Sequence, residues 1–469
     1  MKIISAGSFG SVIIFEGDRI MPNVVAVIMA AGKGSRMKSK LPKVLHTLAG
    51  KTLIEHILDT VNQIGIERPL VVVGHERDEI AALIGGRATL VVQEEQLGTG
   101  HAVRQAVPHL RDDQIVLVLS GDQPLLKAET LRALIDFHEE RKVSASVLTA
   151  HLDNPYGYGR VMKDGTSVLK IVEERDASFA QKQTREINTG TYCFEALVLK
   201  EALEMITPQN AQGEYYLTEA IDIIIRNGEK VLAYPASDPQ EAFGINSRGQ
   251  LAEAEAVLRR RILEHWMEEG VTILDPVSTF IGAQAELARD VTIFPFTQIM
   301  GKTRIGEDAL IGPQTSLEDC SVGRGTEIAY SVAKEAAIGE NCHIGPFAYL
   351  RPGTELAENV KVGDFVEVKN SKIGQGAKVP HLSYIGDALI GKAANIGAGT
   401  ITCNYDGKNK HLTKIGDHAF IGSNTNLVAP VEVGEHAVTG AGSTITKDVP
   451  AKALAVERNR QIMKENWQK

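Results

Sequence analysis

A repeat of six residues constrains the second half of this chain more than any other feature of its sequence. Aliphatic residues recur at every sixth position from Ile281 to Leu317, and the spacing returns from Val332 to Val368 and from Ile415 to Val433. A glycine or another small residue often follows the aliphatic one, as in IGENCH and IGDALI. This period predicts an all-β parallel β-helix, in which aliphatic side chains point into a narrow prism and small residues turn its corners.

The composition of the chain agrees with such a solenoid. Among 469 residues there are 44 glycines but only 12 phenylalanines and 2 tryptophans, as expected where small residues form many tight turns. The insertion Cys403–Lys414 interrupts the count, and we expect it to loop out of the prism. The repeat resembles the left-handed hexapeptide β-helix family. That resemblance alone implies the left hand, a homotrimer and sites between neighbouring prisms.

The first half of the chain has a different pattern. Four short apolar runs have the length and composition of buried parallel strands: Val24–Met29, Leu70–Val73, Thr89–Val92 and Ile115–Leu119. Helical stretches such as Thr52–Ile64 and Glu129–Glu140 lie between these runs or follow them. The alternation predicts a doubly wound, Rossmann-like α/β domain at residues 21–249, with ligands at the carboxyl ends of its strands.

Three further segments complete the predicted organisation. Residues 250–270 read as one charged helix that links the α/β domain to the β-helix at residues 271–455. Residues 1–20 lack the continuous apolar stretch of a signal peptide, and we interpret them as an extension of unknown role. Residues 456–469 form a short charged tail.

Charge and cysteine usage exclude several classes of protein. The net charge of −9 argues against a general nucleic-acid binder, which usually carries a basic face. No apolar run approaches the roughly 20 residues of a membrane span, so we expect no membrane insertion. Cys193, Cys320, Cys342 and Cys403 are scattered without a CxxC motif. This spacing disfavours a disulfide or zinc framework and fits a reducing cytoplasm.

A glycine-rich turn, AAGKGSRM at residues 30–37, follows the first predicted strand, and LPKVLH comes shortly after it. Such turns present backbone N–H groups to phosphates, although the glycines alone also fit an ordinary strand–helix turn. The compound pattern G-x-G-x-R followed by L-P-K resembles the sugar-phosphate nucleotidyltransferases. That resemblance implies that UTP is bound by Ala30, Ala31, Gly32, Gly34, Arg36 and Lys43, and that QEEQLGTGHA reads uracil through Gln93, Gly98 and Thr99.

Further motifs follow in the order that this family shows. LSGDQPLL and GIN imply that Asp122 and Asn246 hold Mg²⁺, and Ser120 stands where the family often has an aromatic residue. YGYGRV, IVEE and INTG resemble the sugar-phosphate set and imply binding by Gly159, Glu173 and Asn188, with Glu174 as the adjacent alternative. The phosphate oxygen of the sugar is already an anion, so the reaction needs positioning and charge neutralisation rather than a protein nucleophile.

Polar residues interrupt the hexapeptide repeat in LRPG, VEVKN, PHLSYIGD, NIGAGT and CNYDG. Together with the first-half motifs they resemble the family of bifunctional N-acetylglucosamine-1-phosphate uridylyltransferases and glucosamine-1-phosphate acetyltransferases. Acetyl transfer to an amine needs a base that works near neutral pH. The resemblance assigns this role to His381, and we expect Glu367 to orient its imidazole.

The same resemblance implies two binding sets around His381. Glucosamine 1-phosphate would be bound by Arg351, Lys369, Tyr384 and Asn395. Acetyl-CoA would be bound by Asn404, Tyr405, Ser423, Ala441 and Arg458.

The sequence therefore predicts a cytoplasmic, bifunctional, Mg²⁺-dependent enzyme. Acetyl-CoA would acetylate glucosamine 1-phosphate, and UTP would convert the product to UDP-N-acetylglucosamine with release of pyrophosphate. One alternative is a monofunctional hexose-1-phosphate nucleotidyltransferase whose β-helix is structural or regulatory. A second alternative is a non-catalytic trimeric scaffold, which the phosphate-neutralising residues of the first half disfavour.

Overall fold

The computed structural model describes residues 23–32, 34–74, 77–458, 461–465 and 467. The predicted extension at residues 1–20 lies outside this part of the chain. The chain divides into two compact units between Val257 and Leu258. This division falls inside one long helix, Arg248–Glu268.

The first unit contains a nine-stranded mixed sheet and a separate two-stranded sheet, β2-β3. Its strands are β1 (Val24–Met29), β2 (Thr47–Leu48), β3 (Lys51–Thr52), β4 (Leu70–Val73), β5 (Thr89–Val92), β6 (Ile115–Ser120), β7 (Ala145–His151), β8 (Arg160–Asp164), β9 (Ser167–Val172), β10 (Glu186–Glu195) and β11 (Val231–Pro235). The order in the large sheet is β5-β4-β1-β6-β10-β7-β11-β9-β8.

Strands β5, β4, β1 and β6 run parallel, as the sequence predicts for this part of a doubly wound sheet. Strand β10 runs antiparallel between β6 and β7, a feature that the sequence pattern did not reveal. The helices of the chain are α1 (Leu53–Gln63), α2 (Arg77–Ile84), α3 (Thr99–Ala106), α4 (Ala128–Arg141), α5 (Phe179–Lys182), α6 (Ala196–Met205), α7 (Leu217–Arg226) and α8 (Arg248–Glu268). Short 3-10 turns occur at Ser35–Met37, Lys43–Leu45, Gly85–Arg87, Val107–His109 and Pro239–Ala242.

Local chemistry explains where these elements begin and what they bury. Thr52 caps α1, because its hydroxyl accepts the backbone N–H of Glu55 at 3.3 Å and the Glu55 carboxylate accepts that of Thr52 at 2.9 Å. The central strand β6 is covered by helices on both faces, so Val116–Leu119 are fully buried. Polar residues that follow β1 and β6 therefore emerge together at one rim of the sheet.

The second unit is a parallel β-helix with three faces. The first face contains Thr272–Ile273, Thr292–Ile293, Leu310–Ile311, Glu327–Ile328, His343–Ile344, Lys361–Asp364, Lys378–His381, Asn395–Ile396, Phe420–Ile421, Val438–Thr439 and Leu454–Ala455. The second face contains Phe280–Ile281, Gln298–Met300, Ser316–Glu318, Val332–Lys334, Tyr349–Leu350, Glu367–Lys369, Tyr384–Gly386, Ile401–Cys403, Asn426–Val428 and Thr444–Ile445. The third face contains Glu286–Leu287, Arg304–Ile305, Ser321–Val322, Ala337–Ile338, Glu355–Leu356, Lys372–Ile373, Ala388–Ile390, Thr413–Ile415 and Val431–Val433.

The aliphatic positions of the repeat form the interior of the prism, as predicted, with one exception. Val332 is 38% exposed, whereas the next residue, Ala333, is 1% exposed and takes the interior position. The reason is a local shortening of the repeat: Ile328, Ala333 and Ile338 are buried at spacings of five rather than six. Counting back six residues from Ile338 therefore reaches Val332, one residue before the interior position, and neighbouring residues of a strand point to opposite sides.

The predicted insertion leaves the prism between two interior positions, Thr402 and Ile415. The loop itself runs from Asn404 to Leu412, slightly shorter than the sequence predicted, because Cys403 and Thr413 still belong to strands. Asp406 folds the loop by accepting hydrogen bonds from the backbone N–H of Asn409 at 2.7 Å and from His411 Nε2 at 2.7 Å.

None of the helices within the described ranges combines the length and the apolar composition needed to cross a membrane.

Candidate active sites

A cavity of about 470 Å³ opens at the carboxyl ends of β1, β5 and β6. It is lined by eight of the residues that the sequence assigned to nucleotide or metal binding: Ala30, Ala31, Gly32, Lys43, Gln93, Gly98, Thr99 and Asp122. Gln96, Ser120 and Glu214 also line it and were not assigned. The position agrees with the general placement of ligands in open α/β sheets.

The glycine-rich turn brings its backbone against the following lysine. Gly34 has a φ of 59°, in the left-handed region, and a Cβ atom placed on it would lie 2.7 Å from Lys43 Cβ. A side chain at this position would therefore displace Lys43 from the cavity. Arg36 lies on the short turn Ser35–Met37 and is exposed to solvent.

Lys43 lies at the centre of a polar cluster in this cavity. Its ammonium forms a salt bridge with Asp122 Oδ2 and donates to Asn246 Oδ1 at 3.1 Å. Ser120 Oγ donates to Asp122 Oδ1 at 2.7 Å. Burial by itself would raise the pKa of Asp122, but Lys43 and the hydrogen bond from Ser120 outweigh burial and hold that pKa below its ordinary value.

The predicted metal pair, Asp122 and Asn246, therefore directs two oxygen atoms at one cation, here the ammonium of Lys43. Within the described ranges, no group of three His, Cys, Asp or Glu side chains could hold a metal ion. Mg²⁺ commonly binds through one or two protein oxygens together with water and substrate phosphates, so this donor pair suits it.

The predicted uracil-reading segment is fixed by tight backbone packing. Gly98 has a φ of 120°, and a Cβ atom on it would lie 2.5 Å from the carbonyl oxygen of Tyr215. The buried Gln93 side chain donates to the Gly98 carbonyl at 3.3 Å. Thr99 Oγ1 accepts the backbone N–H of Leu217 at 3.0 Å. The segment is thus held in one conformation at the edge of the cavity.

The predicted sugar-phosphate residues also lie together. A Cβ atom on Gly159 would be 3.4 Å from Glu173 Oε2 and 3.6 Å from Asn188 Cβ. Thr218 Oγ1 donates to Glu173 Oε1 at 3.0 Å, and burial raises the pKa of Glu173. The adjacent Glu174 instead accepts the buried Arg160 guanidinium at 2.9 Å. The geometry therefore favours Glu173 over Glu174 as the group available to a ligand.

Gln123 connects this sugar group to the metal pair. It follows Asp122 in the chain, and its amide donates to the carbonyl of Thr189, the residue after Asn188. The backbone N–H of Ile245, next to Asn246, donates to the Asp122 carbonyl at 2.9 Å. These bonds place the two groups of predicted residues on one continuous surface.

In the β-helix, His381 has a different partner from the one that the sequence suggested. Its Nδ1 lies 2.5 Å from Asp364 Oδ1 on the preceding coil. Glu367 instead accepts a hydrogen bond from Arg351 Nη1 at 2.7 Å. The expectation that Glu367 orients His381 is therefore wrong. Asp364 and His381 are directly in register on the first face, whereas Glu367 lies beyond the corner on the second face.

Two lysine side chains, Lys369 and Lys410, lie next to each other close to the coil that carries His381. Lys369 ends a strand of the second face, and Lys410 lies on the insertion loop. The neighbouring ammonium of Lys369 lowers the pKa of Lys410, since two like charges disfavour each other. Such a pair of cations is a favourable environment for an anion. Lys410 was not identified from the sequence, because it lies on the loop rather than in a repeat.

Asp387 anchors the insertion loop to the prism. Its two carboxylate oxygens accept the side-chain amides of Asn370 and Asn404, each at 2.5 Å. Asn404 is buried and thus positions the loop rather than pointing into solvent. Tyr384 lies beside it, since a Cβ atom on Gly386 would be 2.4 Å from Tyr384 Oη and 2.8 Å from Asn404 Nδ2.

A column of small side chains starts at His381. Four outward-facing positions lie above one another on successive coils: His381, Ala398, Ser423 and Ala441. Backbone hydrogen bonds join these coils, donated by Gly399 to His381, by Asn424 to Ala398 and by Gly442 to Ser423. Arg458 reaches the far end, with its Cδ 4.0 Å from the point that a Cβ of Gly442 would occupy.

Two predicted residues lie away from this column. Asn395 is in register with Lys378 rather than with His381. Tyr405 is 61% exposed on the insertion loop, and its hydroxyl donates to the Gly407 carbonyl at 2.7 Å.

Comparisons with known proteins agree with both halves of the fold. Residues 26–185 match the MobA-like NTP transferase domain family. Residues 335–370 and 412–447 match the bacterial transferase hexapeptide (six repeats) family. These matches, with the three parallel faces, confirm the Rossmann-like domain and the left-handed hexapeptide β-helix that the sequence predicts.

Several proteins named Bifunctional protein GlmU are similar to nearly the whole chain. The protein of Desulfitobacterium hafniense (strain Y51) is 59% identical over 447 residues, covering 95% of this chain and 99% of that protein. The protein of Heliobacterium modesticaldum is 56% identical over 444 residues, covering 94% and 97%. The protein of Carboxydothermus hydrogenoformans is 52% identical over 444 residues, covering 94% and 99%. On this similarity, the chain belongs to the family of the bifunctional protein GlmU.

Proposed function

We propose that this chain makes UDP-N-acetylglucosamine in two reactions at two separate sites. The β-helix transfers the acetyl group of acetyl-CoA to glucosamine 1-phosphate, and the α/β domain transfers the uridylyl group of UTP to the product. The observation that carries the proposal is the pairing of His381 with Asp364 on the two coils that also carry Lys369 and Tyr384. Arg351 lies on the coil before these and donates to Glu367. What distinguishes this pair from the other histidine–carboxylate pair of the first face, Glu327 and His343, is its position beside Lys369 and Tyr384.

Residues 21–249 act as the uridylyltransferase domain, residues 250–270 as its linker helix and residues 271–455 as the acetyltransferase domain. In the first reaction site, Lys43 and Arg36 neutralise the triphosphate of UTP, and the sugar phosphate oxygen attacks the α-phosphorus in line. Pyrophosphate leaves with the bonding electron pair. The uracil ring is read by Gln93, Gly98 and Thr99, and the sugar is held by Gly159, Glu173 and Asn188.

Asp122 and Asn246 would hold Mg²⁺ at this site. The convergence of Asp122 Oδ2 and Asn246 Oδ1 on the Lys43 ammonium supports this role, because it shows that both oxygens accommodate one cation. The metal supplies positive charge against which the phosphates are positioned. Lys43 is then free to contact phosphate oxygens.

In the second reaction site, the amine of glucosamine 1-phosphate attacks the thioester carbonyl of acetyl-CoA. His381 accepts a proton from the attacking nitrogen through Nε2, the C–S bond breaks, and coenzyme A leaves as the thiol after protonation. Arg351, Lys369 and Tyr384 hold the sugar phosphate together with Asn395, and Lys410 adds a further cation.

The column of small side chains below His381 supports the acetyl-CoA assignment. From His381 to Ala441 it covers three coil spacings, about 14 Å at the usual distance between neighbouring strands. An extended chain that carries a thioester can lie along Ser423 and Ala441 without displacing bulky residues. Arg458 at the far end offers a cation for the phosphates of coenzyme A, and Asn404 and Tyr405 close the site from the loop.

We further propose a homotrimer in the cytoplasm, with no nucleic-acid or membrane partner. Tyr330, Phe347 and Phe365 are exposed on successive coils, with ring centroids 5.8 and 5.3 Å apart. Exposed aromatic stripes of this kind favour burial against another protein surface. Phe365 directly follows Asp364, so a second copy packed here would border the acetyltransferase site. The four unpaired cysteines fit a reducing compartment.

Reciprocal variants test the division of labour. His381→Ala should abolish acetylation of glucosamine 1-phosphate and leave uridylyl transfer to N-acetylglucosamine 1-phosphate unchanged. Asp122→Ala should do the reverse. If either variant lost both activities while remaining folded, the assignment of two independent sites would be wrong.

A further inference from the structure

The register of the β-helix brings Asp364 and His381 into contact. Asp364 ends one strand of the first face, and His381 is its direct partner on the next coil. The two backbones are joined here by a hydrogen bond of 2.9 Å from Leu382 N–H to the Asp364 carbonyl. The His381 carbonyl also accepts Ser383 Oγ at 2.8 Å. Both side chains therefore start from fixed backbone positions.

The contact is specific to one ring nitrogen. Asp364 Oδ1 lies 2.5 Å from His381 Nδ1. Because an ionised carboxylate only accepts hydrogen bonds, Nδ1 must carry the proton. The neutral imidazole then presents the lone pair of Nε2, which is the nitrogen left to accept a proton from a substrate. The hydrogen bond from His381 also lowers the pKa of Asp364, so the carboxylate stays ionised.

The close approach of the two coils depends on Gly363. A Cβ atom at that position would lie 1.9 Å from the carbonyl oxygen of Pro380, which precedes His381. No side chain fits there without moving the backbone. The glycine thus lets the coil that carries Asp364 stack directly on the coil that carries His381.

We propose that Asp364 is a positioning residue for acetyl transfer, which fixes the tautomer and orientation of His381 and stabilises the imidazolium formed when the substrate amine loses its proton. This inference rests on the proposed acetyltransferase function and deepens it. Asp364 itself touches neither substrate. It acts through Nδ1, and its contribution is expected in the rate of the chemical step rather than in substrate binding.

The same β-helix supplies a matched control pair. Glu327 and His343 are likewise partners on successive coils of the first face, with Glu327 Oε2 3.2 Å from His343 Nδ1. His343 lies two coils before His381 and Glu327 lies three coils before it, so neither side chain is a register partner of His381 or Asp364. Removing the Glu327 carboxylate should have the same small effect on the stability of the prism, because exposed pairs of this type contribute little.

The test compares Asp364→Ala with Glu327→Ala in the full-length protein. In Asp364→Ala we expect kcat for acetyl transfer to fall about ten- to a hundredfold, part of the 10²- to 10⁴-fold that a positioned base contributes. KM for both substrates should stay within about twofold. Sodium formate should restore much of the lost kcat, since a small carboxylate can reach the exposed Nδ1, whereas sodium chloride at equal concentration should not. Glu327→Ala should match the wild type.

The proposal requires both the selective loss of kcat and the rescue by formate, and the absence of either contradicts it. Uridylyl transfer by the same samples reports that the variants are folded. If the wild-type protein itself failed to acetylate glucosamine 1-phosphate, both the proposed acetyltransferase function and the role of Asp364 would be wrong. An active wild type with an unaffected Asp364→Ala variant would contradict the role of Asp364 alone.

Discussion

Lys43 and Asp122 form a salt bridge inside the nucleotide cavity, and the same ammonium donates to Asn246 at 3.1 Å. The lysine therefore lies between the two oxygens that we propose as metal ligands. Binding of UTP with the proposed Mg²⁺ would let the ammonium move from the carboxylate to the phosphates. The buried Asp122 carboxylate is thus paired with a cation, which explains how it can be ionised there.

Replacing Lys43 should remove one reaction and spare the other. In Lys43→Met, uridylyl-transfer kcat/KM should fall about 10²- to 10³-fold, the usual effect of losing one preorganised donor to a developing charge. Acetyl transfer should be unchanged. Lys40→Met, an exposed lysine in the same loop, is the control and should keep both activities. Equal activity of Lys43→Met and Lys40→Met would show that Lys43 does not contact the triphosphate.

Lys410 should contribute to binding of the sugar phosphate in the β-helix. Lys410→Ala leaves Lys369 as the only member of the adjoining pair, and KM for glucosamine 1-phosphate should rise about tenfold, as for one charge-assisted hydrogen bond. Added salt should raise KM more steeply in the wild type than in the variant, because salt screens exposed charges. Lys408→Ala on the same loop should have the wild-type KM. A normal KM in Lys410→Ala would remove this residue from the site.

The column of small residues should be sensitive to bulk. Ser423→Leu places a larger side chain between Ala398 and Ala441, so KM for acetyl-CoA should rise at least about tenfold. KM for glucosamine 1-phosphate should change little, since that substrate is assigned to other residues. Ser321→Leu on the third face is the matched control. If both variants bound acetyl-CoA normally, the thioester would have to reach His381 from another direction.

His138 should make the first unit sensitive to mild acid. It is buried on α4, with Nδ1 3.0 Å from Ser146 Oγ, and burial lowers the pKa of His138 to about 4. The unfolded chain binds a proton at this residue below about pH 6.5, whereas the folded chain does not until about pH 4. The free energy of unfolding of the first unit should therefore decrease by about 3 kcal/mol as the pH falls through this window.

Urea unfolding of the wild type and of His138→Gln at several pH values measures this effect. Other histidines with lowered pKa, such as His56, act in the same direction in both proteins. The informative quantity is thus the free energy of unfolding of the wild type minus that of His138→Gln. This difference should decrease as the pH falls from 6.5 to 4, because only the wild type carries His138. A constant difference would mean that His138 titrates alike in the folded and unfolded chains.

Much of the fold could be predicted because local patterns determine it. The interior of the prism follows from the aliphatic repeat, and β1, β4, β5 and β6 follow from short apolar runs. The position of β10 depends on long-range pairing that leaves no periodic signal. Val332 was placed inside because Ile338 lies six residues later, although the five-residue turns around Ala333 shift the register.

The pairing of His381 shows where sequence reasoning about the site failed and how it could have succeeded. Glu367 is near His381 in the motif series, but side chains on neighbouring coils meet only when one full coil separates them. Asp364 stands one coil before His381 and Glu367 does not. Counting back by a coil length, rather than searching for the nearest acidic residue, would have identified Asp364. Lys410 offers no such signal, since the loop that carries it obeys no repeat.

The central claim is that one chain carries both activities, and release of thiol from acetyl-CoA tests it most directly. The wild-type protein would be incubated with acetyl-CoA and either glucosamine 1-phosphate or glucosamine 6-phosphate, while uridylyl transfer is followed separately with UTP and Mg²⁺. Thiol release with the 1-phosphate alone, from a protein that also releases pyrophosphate from UTP, is the result that we expect. Pyrophosphate release without any thiol release would contradict the account and reduce the β-helix to a structural module.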